Sequence, residues 1–258
     1  MKIAISGKGG VGKTLLSAFL ARSFAVDGYD VIAIDADPDA NLGASLGFPD
    51  AGEIVPISHL KELIRERTGA KSSAGGAYFK LNPRVDDLPD EYSARHDGIR
   101  LLVMGEVKRG GSGCYCPENV LLGSLMSHLL LGRDEMVILD MAAGIEHLSR
   151  GTAKAVDRLI IVVEPGQASL ETAHRVKQLA GDIGIREMTV VGNKVRSADE
   201  EAYIRKGTKG LDMLGVIPYD AGLVDAQMRG LPITQSPAIK SSVGAIYRKL
   251  IAPRDRQT

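Results

Sequence analysis

The stretch Gly7-Lys8-Gly9-Gly10-Val11-Gly12-Lys13-Thr14 decides how the rest of this sequence folds. It follows an alternating apolar segment at residues 2–6, which predicts a strand, and precedes apolar residues at helical spacing at residues 14–27, which predict a helix. A glycine-rich turn in that context directs backbone N–H groups and the positive end of the helix at phosphate oxygens. Lys13 then reaches the terminal phosphates of a nucleotide, and the Thr14 hydroxyl is placed to bind Mg²⁺. We therefore predict a phosphate-binding loop whose cradle is formed by Gly9, Gly10, Val11 and Gly12.

Short apolar runs continue along the chain and alternate with helical segments. Further strands are predicted at residues 31–34, 101–104, 136–139, 159–163, 188–191 and 213–217. Helices are predicted around residues 169–179, 199–205, 222–228 and 239–251. Continuous β-branched runs are typical of parallel strands that are buried on both faces. The pattern predicts a three-layer α/β fold of the P-loop NTPase kind, with a mostly parallel central sheet flanked by helices, in one domain over residues 1–258.

Composition limits the partners that we expect. The 258 residues carry 32 Lys plus Arg and 32 Asp plus Glu, so no net charge attracts a nucleic acid or an anionic membrane. The apolar runs fall far short of the ~20 residues that cross a bilayer, and the N-terminus lacks a signal-peptide pattern. We therefore expect a cytoplasmic protein with no nucleic-acid partner and no membrane partner.

Acidic residues follow two of the predicted strands. Asp35-Ala36-Asp37-Pro38-Asp39 begins directly after the strand at 31–34, and Asp140-Met141-Ala142-Ala143-Gly144 begins directly after the strand at 136–139. Open α/β sheets bind ligands at the carboxyl ends of their strands, and a Mg²⁺–phosphate site needs a carboxylate opposite the loop. We assign Asp35, Asp37 and Asp140 to the nucleotide site. For Asp39, capping of a following helix is an equally good alternative.

Lys8 is a second lysine in the loop, and with it the sequence resembles the deviant Walker A family, which includes nitrogenase iron protein and the division and partition ATPases. The resemblance implies a homodimer that sandwiches two ATP molecules, with Lys8 contacting phosphate across the dimer as an arginine finger does. It also implies that Asp37 orients or activates the attacking water, that Asp140 holds Mg²⁺ through a water, and that Gly144 senses the γ-phosphate. The catalytic residues expected from this resemblance are Lys8, Lys13, Asp37 and Asp140.

Two later segments resemble the base-binding segments of the same family. Asn193-Lys194 follows the strand at 188–191, and Ile217-Pro218-Tyr219-Asp220 follows the last predicted strand. An Asn amide both donates to and accepts from the edge of adenine. The Asp of a guanine-reading Asn-Lys-x-Asp motif is absent, since position 196 is Arg. ATP is therefore favoured over GTP, and the expected base-binding residues are Asn193, Lys194, Pro218 and Tyr219.

The only two cysteines of the chain lie one residue apart in Gly110-Gly111-Ser112-Gly113-Cys114-Tyr115-Cys116-Pro117. A disulfide between them would close an unfavourably small ring. Two thiolates at this spacing can face one soft metal ion, but a tetrahedral site normally takes four ligands. A twofold dimer supplies two ligands from each subunit. Two reduced thiols without a ligand role are the alternative.

Together these motifs are similar to the nickel-insertion ATPases of carbon monoxide dehydrogenase over nearly the whole chain. The resemblance adds Asp-Met-Ala-Ala-Gly-Ile-Glu-His at residues 140–147 and the Cys-x-Cys segment. It implies that Cys114 and Cys116 of both subunits hold one Ni²⁺ or Zn²⁺, that ATP closes the dimer, and that the client is carbon monoxide dehydrogenase or acetyl-CoA synthase. Glu146 and His147 are possible metal relays, although polar residues are more often simply exposed.

Two other functions stay open. An electron or iron–sulfur carrier similar to nitrogenase iron protein would also use interface cysteines, although at a different spacing in that family. A positioning ATPase would bind DNA or a membrane, and residues 239–251 either lie on a membrane or pack as a core-facing helix. The segment 69–77 has little apolar content and is predicted to be a mobile surface loop, with a nucleotide lid as the less favoured alternative.

Overall fold

The computed structural model describes residues 1–73, 76–105, 117–132, 135–145, 148–223 and 236–252. Its strands are β1 Lys2–Gly7, β2 Val31–Ala36, β3 Lys71–Ser73, β4 Gly76–Tyr78, β5 Ala94–His96, β6 Ile99–Val103, β7 Met136–Met141, β8 Arg158–Val163, β9 Met188–Val195 and β10 Asp212–Pro218. Eight of them form one sheet in the order β10-β9-β8-β1-β7-β2-β6-β5. Every pair in this sheet is parallel except β5 with β6.

Helices cover both faces of this sheet. They are α1 Lys13–Val26, α2 Leu42–Leu46, α3 Lys61–Thr68, α4 Leu88–Tyr92, α5 Pro117–Leu131, α6 Arg150–Ala153, α7 Gln167–Ile183, α8 Ala198–Gly207 and α9 Pro237–Ile251. In β1, Ile3 and Ile5 belong to the core formed with α1 and α9, whereas Ala4 between them belongs to the core formed with α5 and α7. Burial on both faces explains the continuous apolar runs. The predicted three-layer α/β fold is confirmed.

The terminal helix α9 packs into the fold. Its apolar face is buried, and the helix contacts α1 and β10. The Tyr247 hydroxyl donates to Asp27 Oδ2 at 2.5 Å, and its ring packs edge-on against Phe24. The core-facing alternative for this segment is therefore the one observed. In the part of the chain that the structure describes, no helix is both long and apolar enough to cross a membrane.

Two short elements differ from the sequence-based expectation. The segment predicted to be a loop contains an antiparallel hairpin in which Lys71 is paired with Tyr78. Backbone groups make that pairing, so it does not require apolar side chains. The edge strand β5 was not predicted, because Ala-Arg-His has no strand pattern. Most of the predicted helix at 222–228 lies outside the described residues.

Candidate nucleotide site

The phosphate-binding loop connects β1 to α1. Gly7 has φ +150°, and a Cβ at this position would lie 2.4 Å from the Val162 carbonyl oxygen of β8. Gly12 closes the loop with φ 99° immediately before α1. Val11 is fully buried and anchors the loop, while residues 9–10 are exposed. Residues 9–10 therefore expose their backbone at the amino end of α1, where the helix dipole favours an anion.

Asn193, near the end of β9, braces this loop. Its Nδ2 donates to the Val11 carbonyl oxygen at 2.7 Å, and its Oδ1 accepts from the Lys194 backbone N–H at 2.9 Å. The amide packs so closely that a Cβ at Gly12 would lie 2.0 Å from Nδ2. Glycine at position 12 is therefore required both by its positive φ and by this contact. The Asn193 side chain is almost wholly buried, and these contacts hold the loop in place.

Two buried aspartates lie side by side on β2 and β7. Asp35 and Asp140 are register partners in this parallel pair. Asp140 Oδ1 accepts from Ser17 Oγ at 2.9 Å, whereas Oδ2 is buried and no described residue donates to it. Burial raises the pKa of Asp140 to about 7. The Ser17 hydrogen bond opposes that shift, as does the Thr14 hydroxyl, which is near the carboxylate but makes no hydrogen bond to Oδ2. An unpartnered buried carboxylate oxygen beside a hydroxyl fits the oxygen-donor chemistry of Mg²⁺.

Asp35 uses both of its carboxylate oxygens inside the chain. Oδ1 accepts from the Asp37 N–H at 3.1 Å, and Oδ2 accepts from the Leu42 N–H at 2.8 Å. Burial raises the pKa of Asp35 to about 6 in spite of these two hydrogen bonds. Asp35 therefore braces the turn that carries the partly buried Asp37. The Asp39 carboxylate is exposed and does not cap α2, whose N-cap residue is Asn41.

Three lysines border the loop, and each ammonium group contacts an oxygen of the chain. Lys13 Nζ donates to the Lys8 carbonyl oxygen at 3.3 Å. Lys194 Nζ donates to the Gly10 carbonyl oxygen at 2.7 Å and to Glu164 Oε2 at 2.9 Å. Lys8 Nζ lies 3.5 Å from Oε1 of the same carboxylate. A single glutamate therefore joins the two lysines that flank the loop.

A cavity of about 490 Å³ opens beside the loop near the ends of β9 and β10. Arg196 lies in its wall, with the guanidinium carbon 4.6 Å from the centroid of the Tyr219 ring. The wall also contains apolar side chains and the buried Asn193 amide, which suits a flat, partly polar base. The structure brings together all four predicted base-binding residues in this lining: Asn193, Lys194, Pro218 and Tyr219.

The segment after β7 is tied back to β1. Ser6 Oγ donates to the Gly144 carbonyl oxygen at 2.6 Å, and Ser6 is fully buried directly before the loop. This contact fixes Gly144 near the phosphate-binding loop. The predicted metal ligands Cys114 and Cys116, together with residues 146–147, lie outside the described residues. Within the described ranges, no cluster of three or more His, Cys, Asp and Glu side chains is arranged to hold a metal ion.

Comparison with known proteins decides the family. Residues 2–233 match the CobQ/CobB/MinD/ParA nucleotide binding domain. The chain belongs to this family. It is 46% identical to the carbon monoxide dehydrogenase accessory protein CooC of Rhodospirillum rubrum, over 97% of this chain and 96% of that protein. It is 47% identical to an uncharacterized ATP-binding protein of Methanocaldococcus jannaschii, over 97% of this chain and 98% of that protein.

Solved structures of the CobQ/CobB/MinD/ParA family share the fold. The MinD cell division protein of Aquifex aeolicus aligns with a TM-score of 0.69 at 21% identity, over 98% of each chain. Membership of this nucleotide-binding family confirms that the chain is an ATPase. The resemblance to the maturation ATPases of carbon monoxide dehydrogenase, stated above from the motifs, is confirmed by the 46% identity.

Two residues of this family member's site were missed by the sequence analysis. Glu164 is an acid directly after the predicted strand at 159–163, just as Asp140 is an acid directly after the predicted strand at 136–139. That pattern was available in the sequence and identifies Glu164. Ser6 has no such pattern, because nothing in its neighbourhood distinguishes it from any other serine in a strand.

Proposed function

We propose that this chain is an ATP-dependent maturation factor that binds nickel and delivers it to the active-site cluster of carbon monoxide dehydrogenase or acetyl-CoA synthase. One observation carries the proposal: 46% identity to a carbon monoxide dehydrogenase accessory protein, over 97% of this chain. A similarity of this extent reaches well beyond the nucleotide site. The fold and the loop geometry supply the ATP-driven part of the proposal.

In this proposal the phosphates of ATP lie on the N–H groups of residues 9–12. Lys13 exchanges its neutral partner, the Lys8 carbonyl oxygen at 3.3 Å, for a terminal phosphate oxygen, which is a stronger charge-assisted acceptor. Thr14 and Asp140 would hold Mg²⁺, which neutralises charge on the β- and γ-phosphates when bound. Asp140 contributes the buried oxygen that has no donor among the described residues.

Asp37 orients the water that attacks the γ-phosphorus. Its turn is fixed by two hydrogen bonds to Asp35, which limits the positions that the Asp37 carboxylate can take. The water forms a bond to phosphorus as the bond to the bridging oxygen of ADP breaks, and correct placement is the main contribution that a protein makes to this reaction. Gly144, held by Ser6, senses whether the γ-phosphate is present.

The base of ATP enters the cavity lined by Lys194, Pro218 and Tyr219. The Asn193 amide already makes two hydrogen bonds within the chain. One Nδ2 hydrogen and one Oδ1 lone pair remain for the adenine edge, which is the pairing that adenine requires. Position 196 is Arg and not the Asp that reads guanine, so ATP is the preferred nucleotide. The Arg196 guanidinium stacks on the Tyr219 ring in the cavity wall.

Two copies of the chain, each one domain over residues 1–258, pair around two nucleotides. Lys8 contacts the phosphate of the nucleotide in the second copy. Its side chain is 42% exposed and contacts Glu164, which supports action across an interface. An arginine finger in trans raises phosphoryl-transfer rates by roughly 10³ to 10⁵, and we expect a similar contribution from Lys8.

Nickel is the cargo in this proposal. Cys114 and Cys116 of the two copies supply four thiolates to one Ni²⁺ or Zn²⁺, a ligand set that both ions accept. ATP binding brings the two pairs together, and hydrolysis separates them. A metal ion that binds only the paired form in turn stabilises pairing by mass action.

Anaerobic Ni²⁺ titration tests the metal part. The proteins are the wild type, the double variant Cys114→Ala/Cys116→Ala, and Tyr115→Phe as a control that changes the same segment but keeps both thiols. Metal content and mass by size exclusion are measured with and without ATP. We expect one nickel per dimer in the wild type and the control, no nickel in the double variant, and ATP hydrolysis in all three.

Equal nickel binding by all three proteins, or by none, contradicts the metal part and leaves an ATPase with another client. Visible colour after anaerobic purification would identify an iron–sulfur carrier instead. Sedimentation with liposomes only in the presence of ATP would identify a positioning ATPase.

A further inference from the structure

Glu164 lies at the edge of the nucleotide cavity, in a position fixed by its backbone. It is the first residue after β8, and its N–H donates to Ser169 Oγ at 3.1 Å. Ser169 is buried in α7, so the anchor is part of the core. The Glu164 side chain is 22% exposed, and its two oxygens face different lysines: Lys8 Nζ at 3.5 Å and Lys194 Nζ at 2.9 Å.

The two contacts differ in strength. Lys194 Nζ has a second acceptor, the Gly10 carbonyl oxygen at 2.7 Å, so this lysine is held at two points. Lys8 has the longer contact and no second acceptor among the described residues, while the two lysine side chains are similarly exposed, at 42% and 44%. A partly exposed ion pair of this length is weak and is easily exchanged for a stronger anion. Of the two lysines, Lys8 is the one that a phosphate group can remove from Glu164.

We propose that Glu164 is a positioning residue that holds Lys8 within its own subunit until nucleotide phosphate competes for that lysine. The proposal rests on the proposed function, in which Lys8 acts on the nucleotide of a second copy. In the nucleotide-free chain, Glu164 keeps Lys8 in cis and so disfavours pairing. The phosphates of a bound nucleotide carry more negative charge than the single carboxylate, so they attract the Lys8 ammonium group away from Glu164.

Glu164→Gln tests this device, because it removes the charge and keeps the size and an acceptor oxygen. Dimer formation is followed by sedimentation velocity against the concentration of a slowly hydrolysed ATP analogue. We expect the half-maximal nucleotide concentration to fall about two- to five-fold, the range for a partly exposed ion pair. The difference from the wild type should shrink in about 0.5 M salt, where exposed charges are screened.

Glu171→Gln is the matched control. Glu171 is an exposed residue of α7 that accepts from Gln167 at 3.1 Å. This control should leave the half-maximal nucleotide concentration unchanged. An equal shift in Glu171→Gln would overturn the proposal, since the effect would then reflect overall charge.

A second measurement does not depend on pairing. Brief amine labelling of the nucleotide-free monomer, read by mass spectrometry, reports how free the Lys8 ammonium group is. We expect about two- to five-fold faster labelling of Lys8 in Glu164→Gln, with labelling of the distant Lys206 unchanged. Equal labelling of Lys8 in both proteins would overturn the proposal.

The Lys8→Ala background separates this proposal from the proposed function. Because Glu164 acts through Lys8, Glu164→Gln should not change nucleotide affinity further in Lys8→Ala. If adding Glu164→Gln to Lys8→Ala did change nucleotide affinity, the effect of Glu164 would act through Lys194 instead, and the proposal would be overturned. The proposed function fails on a different result: Lys8→Ala that pairs and hydrolyses ATP at the wild-type rate.

Discussion

The two ends of the central sheet treat buried charge in opposite ways. At the amino ends of the strands, the Arg100 side chain is 9% exposed and bonds to Asp30, Asp90 and Glu135 at 2.8, 2.8 and 3.0 Å. At the carboxyl ends, Asp140 keeps a buried oxygen that no described residue bonds, and burial raises its pKa to about 7. The buried guanidinium at the amino end is paired with three carboxylates, whereas the buried Asp140 carboxylate at the carboxyl end has one oxygen without a partner among the described residues.

The contrast separates stability from binding. A buried cation that meets several carboxylates holds strands and a helix together, and its removal is costly. A buried carboxylate without a partner lowers stability, and a ligand that binds only the folded chain offsets this loss. The amino end of the sheet therefore serves the fold, while the buried carboxylate at the carboxyl end fits the Mg²⁺ of the proposed function.

The largest effect is expected when the amino-end cluster is broken. Arg100→Ala removes the shared cation of three carboxylates, and we expect a loss of about 3 kcal/mol in the free energy of unfolding. The measurement is the shift of the urea midpoint. Arg84→Ala is the control, since the Arg84–Asp86 pair is exposed and its loss should cause no measurable change. A wild-type midpoint for Arg100→Ala would remove the contrast between the two ends.

The opposite sign is expected at the carboxyl end. The pKa of Asp140 is about 7 in the folded chain and 3.8 as the ordinary value, so the folded state binds more protons between about pH 4 and 7. The contribution of this residue to stability therefore falls as the pH rises through that window. Asp140→Asn should be about 2 kcal/mol more stable than the wild type near pH 8 and about equal to it near pH 4, yet fail to hydrolyse ATP.

That gain is smaller than the roughly 4 kcal/mol that the full shift corresponds to, since the Asn amide hydrogens need acceptors of their own. Urea midpoints at both pH values measure it. The exposed Asp39→Asn is the control and should show no such difference between the two pH values. A stability gain in Asp140→Asn that is independent of pH would mean that buried charge is not its cause.

A smaller effect is expected at the brace between β9 and the loop. Asn193→Ala leaves the Val11 carbonyl oxygen without its donor at 2.7 Å, at a cost of about 1 to 2 kcal/mol, and should also weaken ATP binding. Thr189→Val on the same strand is the control, because Thr189 Oγ1 is buried with no partner among the described residues. Unfolding midpoints measure the effect on stability, and nucleotide titration measures the effect on ATP affinity. Equal unfolding midpoints for Asn193→Ala and Thr189→Val would argue against a stabilising role of the Asn193 hydrogen bond.

The strands of the sheet were predictable where the chain is buried on both faces. β2, β6, β7 and β8 each contain a continuous apolar run and are buried along almost their whole length. Pairing that depends on backbone groups leaves no such pattern, which is why the hairpin at 71–78 and the edge strand β5 were not found. Local sequence reports burial well and edge pairing poorly.

The sequence names the candidate site residues but not the contacts that they make. The loop pattern identifies Lys13, because phosphate binding depends on the order of residues along a few positions. The resemblance to the deviant Walker A family adds Lys8. That Asn193 bonds the Val11 carbonyl oxygen, or that Glu164 contacts Lys8, depends on residues more than 150 positions apart in sequence. Such contacts follow from strand order, which the sequence pattern alone does not specify.

The stacked pair in the cavity wall has a practical consequence. The chain contains no tryptophan, and the Tyr219 ring is 43% exposed beneath Arg196. An indole introduced at position 219 would be the sole such fluorophore in the protein. Its emission would then report the arrival and departure of the base in real time, without any attached dye.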